Sequence, residues 1–296
     1  MIMDAKKRPD LPWQAHVLTR NTLRVNLSTT GTVGWEQWFL ITSDRHHDNA
    51  HTDHKLEKRH LDQALERKAG IVDVGDLHCA MQGKWDKRAD TAQCRPEQQQ
   101  GRYLDSIVDS AHKFYKPYAH NFIVIGRGNH EQSILKHHET DLTERTVQAL
   151  NTTEGSQIQA GGYGGWVFFV VKRHQTSKIF KMKYFHGSGG GAIMSHGTLK
   201  TRRMASWLPD ADIIVTGHEH NQWMLPLARE RVTNRGVVYC DEQVHLKTAT
   251  YKDEYCDGHS GWHIERGAPP KPLGGWWLRF YFQTRDNPTY ELIRTD

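Results

Sequence analysis

The residues best equipped for chemistry stand in five short groups. They are Asp44-Arg45-His46, Gly75-Asp76, Gly128-Asn129-His130-Glu131, His186-Gly187 and Gly217-His218-Glu219-His220. Asp, Asn and His offer hard or borderline oxygen and nitrogen donors, which suit Mn²⁺, Zn²⁺ or Fe better than thiolate-seeking ions. In Asp44-x-His46 and His218-x-His220, side chains two apart on an extended chain share a face and could chelate one ion. The seven best candidates to hold a pair of divalent ions, one ligand being shared, are Asp44, His46, Asp76, Asn129, His186, His218 and His220.

These groups need elements that carry them to one place. Each follows an apolar run: Trp38-Phe39-Leu40-Ile41-Thr42, Ile71-Val72-Asp73-Val74, Phe122-Ile123-Val124-Ile125, residues 179–185 and Ile213-Ile214-Val215-Thr216. Short apolar runs that end in Gly or Asp read as buried strands. In open α/β sheets ligands bind outside the carboxyl ends of the strands, so five such loops would face one crevice. Helical spacing is expected over residues 54–69 and 98–115, and over 141–150 behind an Asp141/Glu144 capping box. A further helix is expected over 199–207, and strands over 166–171, 237–239, 244–248 and 276–282. The order βαβαβα followed by mostly β predicts an α/β sandwich with mixed sheets.

With these residues in hand, the sequence resembles the calcineurin-like metallophosphoesterase superfamily. That family's blocks are Asp-x-His, Gly-Asp, Gly-Asn-His-Asp/Glu, His and Gly-His-x-His, and the match spans residues 36–220. Residues 258–277, with Glu265-Arg266-Gly267-Ala268-Pro269-Pro270, resemble phosphoesterases encoded by bacteriophages. The resemblance implies a four-layer αββα sandwich with two mixed β-sheets. It also implies one domain over residues 1–296, whose strand-rich part, 221–296, completes the second sheet. It places one metal on Asp44, His46, Asp76 and His220, and a second on Asp76, Asn129, His186 and His218. It sets His130 over the substrate, to protonate the leaving oxygen, with Glu131 orienting it. Mn²⁺ is the first expectation for the metals, with Zn²⁺, Fe or Ni²⁺ as alternatives. The family usually carries Asp or Asn where this chain has Cys79, which reads here as a small, half-buried residue outside the metal shell.

Two cations clamp both oxygens of an in-line displacement at phosphorus, and solvent between them loses a proton near neutral pH. The expected activity is therefore hydrolysis of phosphate mono- or diesters by a metal-bridging hydroxide, with no covalent protein intermediate. The candidate substrates are a nucleotide, a nucleic-acid strand or a small phosphodiester. Arg202, Arg203, Lys252 and Arg266 are candidate phosphate contacts, with Lys271 near them, although two arginines on a helix also read as a solvated face. Trp262, Trp276 and Trp277 could stack a base, but strand spacing favours the core. His47 and Asp48 directly follow the first block; Asp48 reads as a support for the ligands or as a solvated loop residue, and His78, His196, His259 and His263 read as non-ligands.

Composition bounds the alternatives. The chain has 296 residues, 37% hydrophobic and 10% aromatic, enough to bury a core and too apolar to stay disordered. Lys and Arg exceed Asp and Glu by 39 to 34, a mildly basic balance that permits an anionic partner without demanding one. Four Cys with no CxxC pair exclude a zinc ribbon or disulfide scaffold and suit a reducing cytoplasm. No run is long enough for a membrane span, and the polar first 21 residues lack the apolar stretch of a secretory signal. The 20 His are a surplus, and imidazole is the commonest protein metal ligand. Two rival readings remain: a non-catalytic scaffold on the same fold, which would have lost ligands, and a metal hydrolase of carbon esters.

Overall fold

The structure is a computed structural model of the chain. It describes residues 9–82, 89–99, 101–173, 176–190, 195, 197–255, 258–259, 262–265, 267–285 and 287–296. Among the described residues the strands are β1 (Trp13–Thr19), β2 (Thr22–Leu27), β3 (Glu36–Thr42), β4 (Gly70–Asp73), β5 (Phe122–Ile125), β6 (Gln159–Ala160) and β7 (Gly164–Arg173). They continue with β8 (Thr176–Phe185), β9 (Ile213–Thr216), β10 (Trp223–Val232), β11 (Val238–Lys247), β12 (Trp276–Thr284) and β13 (Asn287–Arg294). The α-helices are α1 (His54–Glu66), α2 (Tyr103–Tyr115), α3 (Asn129–His138), α4 (Leu142–Glu154), α5 (Thr198–Trp207) and the short α6 (Trp262–Glu265).

Two mixed sheets result. One has the order β1-β2-β7-β8-β9-β11-β10 and the other β13-β12-β3-β4-β5-β6. Their facing sides enclose a shared core that includes Phe39, Ile41, Val72, Val124, Phe169, Met182, Val215 and Phe280. Phe39 and Phe169 pack with ring centroids 4.7 Å apart, and Phe169 lies 5.1 Å from Phe280. The outer face of the β3–β5 sheet carries Leu40, Ile71, Phe122 and Ile125, packed on Leu61, Ala64, Ala111, Tyr115, Val147 and Leu150 of α1, α2 and α4. Strands covered on both faces are nearly continuous in apolar residues, which is why the runs within β3, β4 and β5 are legible. Met204 of α5 packs with Ile214 on the outer side of the other sheet. Helix, sheet, sheet and helix make four layers, as expected.

Local chemistry starts and stops the helices. Asp53 accepts from the N–H groups of Lys55 and Leu56 at 3.1 and 2.9 Å and caps α1. Asp141 accepts from Glu144 N at 3.0 Å and caps α4, which runs one turn beyond its expected end and closes at Gly155.

The C-terminal segment corrects one expectation. Its strands do not all complete one sheet: β10 and β11 extend the first, whereas β12 and β13 extend the second by pairing antiparallel with β3. Apolar patterning marks a strand as buried but does not name its partner. The segments 237–239 and 244–248 fall, but for their outer residues 237 and 248, within the single strand β11. Trp276 and Trp277 are buried on β12 and serve the core.

Register brings the functional strand ends level. Thr42 pairs with Asp73, and Asp73 with Ile125, in one sheet; Phe185 pairs with Thr216 in the other. Each of these residues lies at the carboxyl end of its strand. The loops that follow therefore leave from a common edge.

Candidate metal centre

Backbone hydrogen bonds continue past the strand ends and fix the loops to each other. Asp44 N donates to Gly75 O at 2.9 Å, His46 N to Asp76 O at 3.0 Å, and Gly217 N to His186 O at 2.9 Å. Asp44 then joins the sheets, because its Oδ2 accepts from His218 N at 2.9 Å and from Ser43 Oγ at 2.5 Å. Its Oδ1 is buried without a well-formed hydrogen bond. Asp76 Oδ1 accepts from His130 N at 2.9 Å, which ties β4 to the first turn of α3.

Two glycines make this closeness possible. A Cβ on Gly128 would lie 2.0 Å from Asp76 Oδ1, and one on Gly217 would lie 2.5 Å from Asp44 Oδ2. Any side chain there would occupy the place of a carboxylate.

The expectation of extended Asp-x-His and His-x-His pairs is corrected by the backbone. Asp44, His46, Asp76, His218 and His220 all take positive φ, between 46° and 72°. Left-handed turns at these non-glycine residues cost about 1–2 kcal/mol each. They turn the candidate ligands into the crevice while the residues between them point elsewhere. Arg45 is the clearest case. Its guanidinium is fully buried behind the site, 2.7 Å from both Asp73 and Glu57. Opposite charges there outweigh burial and keep it protonated.

Six of the seven candidate ligands fall into two clusters, Asp44–His46–His220 and Asp76–His186–His218, each with its donor atoms within 4.8 Å of one another. In the first, His46 Nε2 lies 3.2 Å from His220 Nε2, and Asp44 Oδ1 lies 3.3 and 3.9 Å from His220 and His46. In the second, His186 Nε2 lies 3.1 Å from both Asp76 Oδ2 and Asn129 Oδ1. Asn129, the seventh candidate, also sits 2.6 Å from His218 Nδ1. The Gly189 carbonyl, 3.0 Å from His218 Nε2, can only accept, so that nitrogen carries a proton and donates to it.

Electrostatics agree with a cation cradle. Burial opposes charge on Asp44 and Asp76, yet the surrounding imidazoles hold both carboxyls below their usual range. Burial, reinforced by His130 and His220, holds His46 well below the ordinary imidazole value and so neutral. His186 is the exception: burial would lower it, but Asp76 raises it to about 9. A cation at that cluster must displace a proton. Ionised carboxylates, a neutral imidazole and the open buried oxygen of Asp44 fit a pair of divalent ions.

His130 stands beside the clusters, its ring 4.9 Å from that of His46 and its Nε2 3.9 Å from Asp76 Oδ2. Its Nδ1–H donates to the Cys79 carbonyl at 2.6 Å, which fixes the orientation of the ring. This corrects the expected part of Glu131. That carboxylate is buried under the loops and accepts from the backbone N–H groups of Asp76, His78 and Gly128 at 3.2, 2.8 and 2.9 Å. It binds the Gly-Asp loop to the start of α3, and Cys79 holds the His130 ring.

Asp48, one reading of which was a solvated loop residue, supports that hold. It is buried and accepts from Cys79 N at 2.6 Å, Ala80 N at 2.8 Å and the Tyr103 hydroxyl at 2.9 Å. Glu219, between two ligands, is also buried, and its carboxylate takes Lys247 and Lys200 at 2.6 and 2.7 Å. Lys200 also donates to the carbonyls of Ser188 and Gly190, fastening the loop after His186 to α5.

The expected substrate contacts fare unevenly. Lys252 is buried, paired with Glu254 and bonded to Gln93 Oε1 at 2.9 Å. Glu254 joins His263 and His220 in a further cluster at the margin of the centre. Lys271 donates to Glu219 O at 3.2 Å, beside the His-x-His loop. Arg202 and Arg203 lie on the exposed face of α5. Arg266, His196 and the side chain of Trp262 lie outside the described residues. His78 serves structure, with Nε2 2.8 Å from Thr146 Oγ1.

No protein-family model and no curated protein matches the sequence. Solved structures do. Vacuolar Protein Sorting 29 from Cryptosporidium parvum matches at 13% identity, covering 88% of this chain and 99% of that one, with a TM-score of 0.36. A protein from Streptococcus pneumoniae described as a predicted phosphoesterase matches at 10% identity, covering 88% and 99%, with a TM-score of 0.33. A zinc complex of Vps29 from Entamoeba histolytica matches at 10% identity, covering 87% and 99%, with a TM-score of 0.36. Likeness at this level does not say what a chain does. No helix among the described residues is long and apolar enough to cross a membrane.

Proposed function

We propose that the chain is a metal-dependent phosphoesterase with a two-ion centre that hydrolyses phosphate mono- or diesters. The observation that carries this reading is the meeting of Asp44, His46 and His220 in one donor cluster with Asp76, His186 and His218 in the next, and Asn129 between two of the histidines. One ion would take Asp44, His46 and His220, the other Asn129, His186 and His218, with Asp76 shared. Two divalent cations there, Mn²⁺ foremost, would neutralise phosphate charge and supply a nucleophile from water at neutral pH.

The chain's own side chains do the rest. Asp76 is held by the His130 amide, so the shared carboxylate and the acid are placed by the same turn of α3. His130, with Nδ1 committed to Cys79, delivers a proton from Nε2 to the departing ester oxygen. Tyr103, Asp48 and Cys79 form a buried line that holds this ring in position. Burial of Asp44 and His46 keeps bulk water from competing for the donors.

Chelated protein given Mn²⁺ tests the reading on p-nitrophenyl phosphate, bis-p-nitrophenyl phosphate and p-nitrophenyl acetate. Turnover of a phosphate ester that vanishes on chelation and returns with metal is expected. Cleavage of the acetate alone, or of none of the three, would reject it.

A further inference from the structure

Behind the centre, on the side of α1, three more donors meet. His47, His54 and Glu57 each place a ligand atom within 4.8 Å of the other two. We propose that these residues form a separate divalent-cation site, suited to a borderline ion such as Zn²⁺. Its ion would fasten α1 to the loop that carries Asp44 and His46. The site shares no side chain with the two-ion centre.

The hydrogen bonds around it leave acceptors facing acceptors. His54 Nε2 lies 2.9 Å from the His47 carbonyl, which can only accept, so Nε2 carries the proton and Nδ1 the lone pair. That Nδ1 lies 3.7 Å from Glu57 Oε2. Glu57 Oε1 is fully engaged, accepting from Arg45 Nη1 at 2.7 Å and the Tyr115 hydroxyl at 2.5 Å, whereas Oε2 is buried with no hydrogen bond. His47 Nδ1 is likewise buried with none, and its Nε2 lies 3.0 Å from Ser110 Oγ, which can accept its proton. Burial lowers His54, so that ring is neutral near pH 7. Without a donor, a lone pair facing a carboxylate oxygen is repulsive; a cation between them makes it favourable.

The supporting bonds match a metal site. A ligating His ordinarily donates its other N–H to a carbonyl, and a ligating carboxylate is itself hydrogen-bonded. His54 and Glu57 do both. Two imidazoles and one carboxylate form a three-ligand set typical of Zn²⁺ with an open fourth position. The rings of Phe114 and Tyr115, 5.0 and 5.2 Å from His47, wall one side, and the His54 side chain, 19% exposed, leaves a way in.

The test is equilibrium dialysis of the chelated full chain against Zn²⁺ alone, with ions per chain counted by mass spectrometry and Co²⁺ spectra as a second readout. Wild type should bind three ions and His54→Ala two, and Zn²⁺ should raise the melting temperature of the variant less. Should His54→Ala melt too low, His54→Phe keeps a ring against Phe114 and carries the same expectation. Equal stoichiometry of two in wild type and variant would overturn the site while leaving the two-ion centre intact. One ion in wild type and none in the variant would instead retain this site and reject the centre.

Discussion

Substituting Gly217 by Ala tests whether the carboxylate of Asp44 must sit where it does. The residue needs no unusual φ, so the backbone accepts a Cβ; the space does not. The added carbon would lie 2.0 Å from Ser43 Oγ and 2.5 Å from Asp44 Oδ2. To reach the 3.4 Å of ordinary contact, the carboxylate must retreat about 0.9 Å. It would also lose its 2.9 Å bond from His218 N, and with it the link between the sheets. A misplacement of about 1 Å costs roughly 10²-fold in rate, which is about 2.7 kcal/mol of barrier. The assay is Mn²⁺-dependent hydrolysis of a p-nitrophenyl phosphate ester alongside metal titration. Weaker binding of the ion at Asp44, His46 and His220 should accompany the rate loss. Gly190→Ala is the matched control, since its Cβ would meet nothing within 4 Å. Wild-type turnover and metal content in Gly217→Ala would refute the reasoning.

Three further outcomes are expected. His130→Ala should keep its metals, because Asp76 is held by the His130 backbone, and lose about 10²–10⁴-fold in kcat; unchanged kcat at full metal content would remove His130 from the chemistry. Tyr103→Phe deletes a hydrogen bond to the buried carboxylate of Asp48 and should lower stability by about 1.5–3 kcal/mol in urea unfolding; no change would show that Asp48 does not depend on it. His245 is buried, with Nε2 2.9 Å from Gln243 Oε1, and burial followed by the charge of Arg229 lowers it from 6.5 to about 4. The unfolded chain therefore takes up this proton first as the pH falls, so stability should decline from about pH 6.5 toward pH 4. His245→Asn should flatten that part of the profile, and a profile identical to wild type would count against the linkage.

Much of the centre is legible in the sequence for a specific reason. Strands β3, β4, β5 and β9 are buried on both faces, so their apolar runs are unbroken and the polar residues that end them stand out. What is not legible depends on geometry that no spacing encodes. Strand β1 is mostly exposed, β2 alternates buried with half-buried positions and the edge strand β10 alternates half-buried with exposed ones, so none of the three reads as a continuous apolar run. Helix α3 begins at Asn129 itself, because Glu131 reaches back to accept from Gly128 N; the segment reads as a loop when only its chemistry is considered. The positive φ at five candidate ligands is imposed by the loop-to-loop hydrogen bonds, against local preference. Asp48 and Tyr103 lie 55 positions apart and meet only in the fold. A signal for Asp48 did exist: an acid next to the first ligand block, followed later by a Cys where an acid or amide is usual.

Seven side chains from five loops are expected to hold a pair of ions. Anomalous diffraction from a crystal soaked in Mn²⁺ measures this directly. Two peaks about 3.5–4 Å apart are expected, one bounded by Asp44, His46 and His220 and the other by Asn129, His186 and His218, with Asp76 between them. A single peak, or peaks that leave these side chains without metal, would contradict it.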